Sequence, residues 1–237
     1  NKNFTFYKLD LLNISALDKL FQKNKFAALI NLAAQAGVRY SFENPQAYID
    51  SNITGFTNIL ELSKKYNINL LLYASSSSVY GECNDFPYSE INHEIRPISL
   101  YGVTKKFNED LAYSYHRLFK MNCIGLRFFT VYGPWGRPDM ALFKFTKNIK
   151  RNKAIDVYNN GEHYRSFTYI SDITDAIKLL LDKYIDESIC INEVLNIGGD
   201  KSINLLDFIK IIEQKIGLKA KVNYLPKQLG DIEKTES

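Results

Sequence analysis

The chain has little of what stapled, metal-bound or membrane-spanning proteins are built from. Its 237 residues include three cysteines, Cys83, Cys123 and Cys190, far apart and with no C-x-x-C pair. The odd number and wide spacing exclude a disulfide framework or a zinc site and fit a reducing compartment. His93, His116 and His163 show no metal-ligand spacing, so no metal is expected; His116 lies among Tyr113, Tyr115 and Phe119 and reads as structural. No apolar run approaches the about 18 residues of a membrane helix, and the N-terminus lacks a secretory pattern. The expectation is a soluble cytoplasmic protein with no membrane partner. Charge is also scarce in blocks. The net charge is +4 and the basic clusters are pairs such as Lys64-Lys65 and Lys105-Lys106, which argues against a nucleic-acid partner. There is no repeat and no low-complexity tract.

What remains is a globular pattern. With 46% hydrophobic and 24% charged residues, the length suits one large domain, or a domain with a smaller appendage. Apolar runs of strand length alternate with helical periodicity, which predicts βαβ units and a parallel sheet. The expected elements begin with a strand in "FTFYKLDL" and a helix capped at Ser15. Then come a buried strand in "FAALINLAA", a long helix opened by Asn44-Pro45, and the strand "INLLLYA". After an irregular stretch (81–99) follow a helix over 100–119 and the strand "CIGLRFFTVYG". Beyond Pro134 the expected series is helix 139–151, strands "IDVY" and "SFTYI", helix 171–183, strand "EVLNIGG", and helix 204–216. Ser202 is the cap candidate for the last helix, which Gly217 ends. Gly198-Gly199 reads as a turn. A soft boundary falls near 133, dividing 1–133 from 134–237. The chain does not start with Met and opens inside a strand-like segment, so it reads as a fragment, or as a chain missing its first segment.

The residues that suggest chemistry are Tyr101 and Lys105, spaced Y-x-x-x-K at the start of a helix. Four residues apart, they share one helix face, and an ammonium there would stabilise a phenolate and make tyrosine a usable base. Alone, such a pair is commonly just exposed. Here a run of four serines, Ser75–Ser78, lies upstream at the end of a buried strand, where ligands bind in open α/β sheets.

Five segments in order, "NLAAQAGVRYSFENP", "YASSSSVYG", "SLYGVTKK", "LRFFTVYGPWGRPDMALFKF" and "RSFTYISDI", resemble the extended short-chain dehydrogenase/reductase family, and most of all its UDP-glucuronate 4-epimerases. The resemblance runs to "LPKQLGDIEKTES" at the end. It implies a Rossmann-like doubly wound parallel sheet with a smaller mixed α/β substrate domain, NAD as cofactor and a UDP-sugar as substrate. On this resemblance Tyr101 is the base at the sugar 4-hydroxyl, and Lys105 holds the nicotinamide ribose. Ser76 and Ser78 supply hydroxyls at the reacting oxygen. Asp10, Leu11, Leu32, Ala33, Ala34, Ala74 and Ser75 fall at cofactor positions. Arg39, Ser77, Thr130, Arg137, Tyr158 and Arg165 fall at substrate positions: Thr130 and Arg137 at a uronate carboxylate, Arg165 at the diphosphate and Tyr158 near uracil. Related 4,6-dehydratases carry an Asp-Glu pair where this chain has Ser77-Ser78, and serines cannot supply that acid and base. A homodimer through helices 44–65 and 100–119 is also implied.

Some alternatives stay open at this point. Without the resemblance Arg137 reads first as a solvated arginine after a Gly-Pro-Trp-Gly turn, while Arg165 reads equally as a strand-edge arginine and Tyr158 as an ordinary buried strand tyrosine. Ser166 and Ser171 stand where relatives often carry Asp, and Asn31 where His is commoner. No G-x-G-x-x-G or G-x-x-G-x-x-G occurs, so the glycine turn that anchors a dinucleotide pyrophosphate lies outside this sequence. Two functional expectations follow: a UDP-uronate 4-epimerase (or another UDP-hexose or UDP-N-acetylhexosamine 4-epimerase), and, as the rival, a remnant that binds a nucleotide-sugar without catalysis.

Overall fold

Apolar runs bounded by polar turns become the strands, and the amphipathic stretches between them become the covering helices. The computed structural model describes residues 3–92, 95–185, 190–228 and 230–237. The first half contains α1 (Ile14–Lys23), β1 (Ala28–Asn31), α2 (Tyr40–Glu43), α3 (Pro45–Tyr48), α4 (Gly55–Lys65), β2 (Leu70–Ser76) and α5 (Leu100–Phe119). Next come β3 (Cys123–Phe128), β4 (Thr130–Tyr132), α6 (Ala141–Lys150), β5 (Ala154–Tyr158), β6 (Tyr164–Tyr169) and α7 (Ile170–Tyr184). The chain continues through β7 (Asn192–Ile197), β8 (Ser202–Asn204), α8 (Leu205–Ile216), β9 (Lys221–Leu225) and β10 (Lys234–Thr235).

The main sheet is parallel, in the order β1-β2-β3-β7. One face packs Phe56, Ile59 and Leu60 of α4 and Ala112 of α5 on Leu71 and Tyr73. The other face packs Leu70, Leu72, Ile124 and Leu126 against α7 through Tyr184. Burial on both faces explains why these strands read as unbroken apolar runs. Each enclosed aliphatic side chain contributes about 1.5–3 kcal/mol of transfer free energy. The fold is thus an α/β parallel sheet of the Rossmann-like kind. A second lobe holds β4, β6, β8 and β10 in one sheet and β5 with β9 in another. Helices α6 and α8 close over Ile155 and Val157 there. The chain beyond 133 is divided between the lobes, because α7 and β7 return to the main sheet.

Several sequence expectations are corrected. Residues 4–10 of "FTFYKLDL" join no ladder among the described residues. The first helix is capped by Asn13, whose side chain accepts from the Ala16 N–H at 3.1 Å, and not by Ser15. The helix opened by Asn44-Pro45 is interrupted by a π-helical segment, Ile49–Thr54, between α3 and α4. The run "CIGLRFFTVYG" divides at Phe129 into β3 and β4, which belong to different sheets. The cap of α8 is Asn204, which accepts from the Leu206 N–H at 2.8 Å, while Ser202 lies in β8. No described helix is long and apolar enough to cross a membrane.

Candidate active site

The carboxyl end of β2 is built by its serines. Ser76 ends the strand and caps the 3₁₀ turn Ser77–Tyr80, accepting from the Ser78 N–H at 3.2 Å. Ser99 caps α5 by accepting from the Gly102 N–H at 3.1 Å. Gly102 lets the helix start lie against the serine turn: a Cβ there would stand 2.6 Å from the Ser78 carbonyl oxygen. At the turn's far end Gly81, with φ +60°, would place a Cβ 1.8 Å from the Arg96 carbonyl oxygen. Close backbone approach thus fixes the serine turn at both ends.

Tyr101 and Lys105 leave α5 toward this turn. Burial raises the Tyr101 phenol above its ordinary pKa, and the neighbouring Ser76 hydroxyl and Arg137 guanidinium pull it back. Lys105 is nearly fully buried, donates to the Ala74 carbonyl at 2.8 Å, and stands 6.0 Å from the Tyr101 ring centroid. Burial lowers its ammonium to about 8. The groups that oppose the burial of the phenol are thus the Ser76 hydroxyl and the Arg137 guanidinium. Tyr48 packs edge-on against Tyr101 with centroids 6.2 Å apart and donates to the Ala36 carbonyl at 3.1 Å, fixing the loop after β1.

Two adjoining cavities lie between the lobes. The first, of about 540 Å³, is lined by Ser76, Ser77, Ser78, Thr130, Arg137 and Arg165. The second, of about 400 Å³, takes in Arg39, Tyr158, His163 and Asp231 and shares Thr130 and Arg165 with the first. Arg137 forks onto Asp139, with Nε donating at 3.0 Å. Arg165 donates to the main-chain carbonyls of Tyr164 at 2.8 Å, Glu233 at 3.0 Å and Ile232 at 2.6 Å, holding the C-terminal segment against the cleft. Arg39 reaches Asp231 at 3.4 Å and lies 5.2 Å from the Tyr158 ring centroid. His163 stands 3.8 Å from Asp231, and burial lowers its pKa. Ser166 is fully buried and accepts from the Ser237 N–H at 3.3 Å.

Tyr101 and Lys105 stand behind Ser76 and, like the remaining expected positions, are not among the residues that line either cavity. Leu32 and Ala33 are exposed and Ala34 half-buried just past β1, at the carboxyl edge of the sheet. Asp10 accepts from the Leu12 N–H at 2.9 Å, and the Leu11 carbonyl accepts from Asn58 at 2.7 Å. The Ser75 hydroxyl is turned away from the cleft and donates to Glu109 Oε1 at 2.6 Å, so a ligand can meet only its main chain. His116 Nδ1 contacts the Met121 carbonyl at 2.9 Å, in keeping with a structural role. His93 lies outside the described residues. No group of three potential metal ligands occurs among the described residues. Asp231, Tyr48, Glu109 and Arg127 were not singled out from sequence. Glu109 had a usable signal, since it follows Lys105 by four residues on the same helix face.

A Rossmann-like sheet with a Tyr–Lys pair, a serine strand end and an inter-lobe cleft defines a dinucleotide-dependent enzyme class. The family described as "NAD dependent epimerase/dehydratase family" matches residues 1–198, and the chain belongs to it. It is 49% identical over 99% of its length to Protein CapI of Staphylococcus aureus, spanning 74% of that protein. It is 42% identical to a UDP-glucuronate 4-epimerase of Thermodesulfobacterium geofontis, covering 99% of this chain and 71% of the relative. Among solved structures it resembles UDP-glucuronic acid 4-epimerase from Bacillus cereus in complex with UDP-glucuronic acid and NAD. That match has a TM-score of 0.88 and 34% identity, over 100% of this chain and 73% of the other.

The donor set suits the nicotinamide-ribose half of NAD. Lys105 has one carbonyl acceptor, Ala74, and no carboxylate partner among the described residues, so two ammonium hydrogens remain for a diol.

Proposed function

We propose that the protein is an NAD-dependent 4-epimerase of a UDP-sugar, acting on UDP-glucuronate to give UDP-galacturonate for surface polysaccharide synthesis. The observation that carries this reading is that Tyr101 and Lys105 converge on the strand end at Ser76, which lines a cavity together with Arg137 and Arg165. NAD, which Lys105 would hold by its nicotinamide ribose, would supply the acceptor and donor of the C4 hydride. Tyr101 takes the proton of the 4-hydroxyl and gives it back after the 4-keto sugar has turned over. Ser76 and Ser78 hydrogen-bond the reacting oxygen, and Lys105 holds the nicotinamide ribose. Arg165 meets the diphosphate, Arg39 contacts the substrate from beside Tyr158, and Tyr158 lies by the uracil.

Arg137, with Thr130, takes the uronate carboxylate, for which a guanidinium fork is suited. Holding that carboxylate matters because a 4-keto uronate is a β-keto acid that loses CO2 readily. Ser77 stands where a dehydratase would need an acid, so elimination is disfavoured. Asp10, Leu11, Leu32, Ala33, Ala34, Ala74 and the main chain of Ser75 border the cofactor. Residues 1–133 form mainly the cofactor lobe and 134–237 mainly the substrate lobe. A second copy packs on 44–65 and 100–119, where Val103 and Phe107 lie exposed one turn apart.

The test is incubation of purified protein and NAD with UDP-glucuronate, with chromatographic detection of UDP-galacturonate. Epimerisation of a neutral or N-acetylated UDP-sugar in place of the uronate would overturn the substrate assignment. Tyr101→Phe is expected to lower turnover by about 10²-fold or more while UDP still binds. Undiminished turnover removes Tyr101 from the role.

A further inference from the structure

Three residues of α5, each one turn from the next, engage three consecutive residues of β2. Tyr101 meets Ser76, Lys105 donates to the Ala74 carbonyl at 2.8 Å, and Glu109 accepts from the Ser75 hydroxyl at 2.6 Å. The third contact is anchored far more heavily than the first two. Glu109 is held by both arms of Arg127, with Nε donating to Oε1 and Nη2 to Oε2, each at 2.9 Å. Both side chains are only 4% exposed. Arg127 Nη1 donates to the Tyr80 hydroxyl at 2.8 Å, and that hydroxyl donates to Asn196 Oδ1 at 2.7 Å. Arg127 is the register partner of Ser75 on one side and of Asn196 on the other. The clamp therefore ties α5 to β2, β3, β7 and the serine turn at once.

Burying an ion pair is a poor way to gain stability, because apolar residues of the same volume commonly do as well or better. What a fully satisfied fork supplies is one geometry, since sliding or rolling the helix would strand a buried charge. We propose that Glu109, clamped by Arg127 and Ser75, is a positioning residue for the epimerisation, fixing the roll and height of α5 so that Tyr101 faces Ser76. This rests on the reading of Tyr101 as the base. Glu109 and Arg127 are buried and spend their polar atoms on one another, on Ser75 and on Tyr80, so the pair acts through the helix and the serine turn.

The test uses the apolar double variant Glu109→Leu with Arg127→Met, which leaves no buried charge unpaired, and Ser75→Ala, which keeps the ion pair and removes only its link to β2. Thermal melting, UDP affinity, kcat, KM and amide hydrogen exchange of residues 101–105 are compared with the unaltered protein. Positioning predicts a double variant that melts near the wild-type temperature and binds UDP with unchanged affinity. Its kcat falls about tenfold or more at constant KM, and its 101–105 amides exchange faster by a similar factor. Ser75→Ala shifts kcat and exchange in the same direction by a smaller factor. A double variant that folds and keeps wild-type kcat and exchange overturns the proposal, as does a loss of kcat that merely follows the loss of melting temperature. If the unaltered protein epimerises nothing, the reading of function has failed. The exchange rates then decide the positioning claim alone: faster exchange at 101–105 in both variants upholds it, and wild-type exchange overturns it.

Discussion

Lys105 gives the sharpest quantitative test of the site. Its ammonium is almost completely enclosed, and burial lowers its pKa from 10.5 to about 8. In the unfolded chain the same group titrates near its ordinary value. Below the folded pKa both states carry the charge, and the folded state bears the full desolvation penalty. Above the unfolded pKa neither state carries it. Between the two, the unfolded chain binds more protons, so the penalty is relieved as pH rises. The gap corresponds to about 3 kcal/mol. Lys105→Met removes the titration and keeps the apolar stem. In denaturant unfolding without dinucleotide, the variant should therefore be more stable relative to wild type at pH 7 than at pH 10. The difference between the two curves should close by about 2–3 kcal/mol across that window. The lost hydrogen bond to Ala74 displaces the variant's curve by a constant and leaves its slope alone. Parallel pH profiles would refute the claim that this lysine is held against its own charge. The same substitution should abolish epimerisation, which separates what the residue does for the fold from what it does for the reaction.

Two further substitutions probe the geometry. Gly102→Ala should gain up to about 1 kcal/mol from helix propensity, yet its Cβ would stand 2.6 Å from the Ser78 carbonyl oxygen. The resulting overpacking costs about 1–3 kcal/mol, so a lower melting temperature with reduced kcat is expected, and a more stable, fully active variant would contradict the close approach. Arg137→Leu removes a charge-assisted fork worth about 1.5–3 kcal/mol. It should lower kcat/KM for the UDP-uronate by about 10- to 100-fold while sparing any neutral UDP-sugar, measured by competing the two substrates.

Much of the fold was legible because its strands are enclosed on both faces. Leu70–Ser76 and Cys123–Phe128 have to be apolar at nearly every position, and an unbroken run marks such a strand plainly. The helix over residues 100–119 was read at its observed bounds, although its buried face, Gly102, Thr104, Lys105, Asn108, Glu109 and Ala112, is mostly polar. The failures were at breaks in regularity. The interruption at Ile49–Thr54 has no Pro or Gly within it to announce it. Its buried Asn52 grips the chain after β1 through the Gln35 N–H and carbonyl, at 2.8 and 3.0 Å, and Thr104 at 2.9 Å. Contacts of that range leave no periodic trace. Likewise nothing in "FFTVY" says that the strand changes sheets at Phe129, since both halves are apolar and β-branched or aromatic.

The site shows the same division between chemistry that repeats along the chain and chemistry that crosses it. Tyr101 and Lys105 could be paired from spacing, because a helix converts four residues into one face, and the serine run upstream gave the pair its weight. Asp231 could not, since it lies 192 residues beyond Arg39, the side chain it meets. Arg127 falls between these cases. A guanidinium inside the otherwise apolar run "CIGLRFF" is an expensive residue to enclose, and it persists in a fold only with a carboxylate and further acceptors around it. Its presence in a buried strand therefore requires a partner on a packed element. Glu109 is the acid that α5 turns inward one turn past Lys105, on the face that covers β2. A charge where the period allows none thus predicts a second charge across the packing interface, and the nearest inward-facing acid on the covering helix is the one to choose.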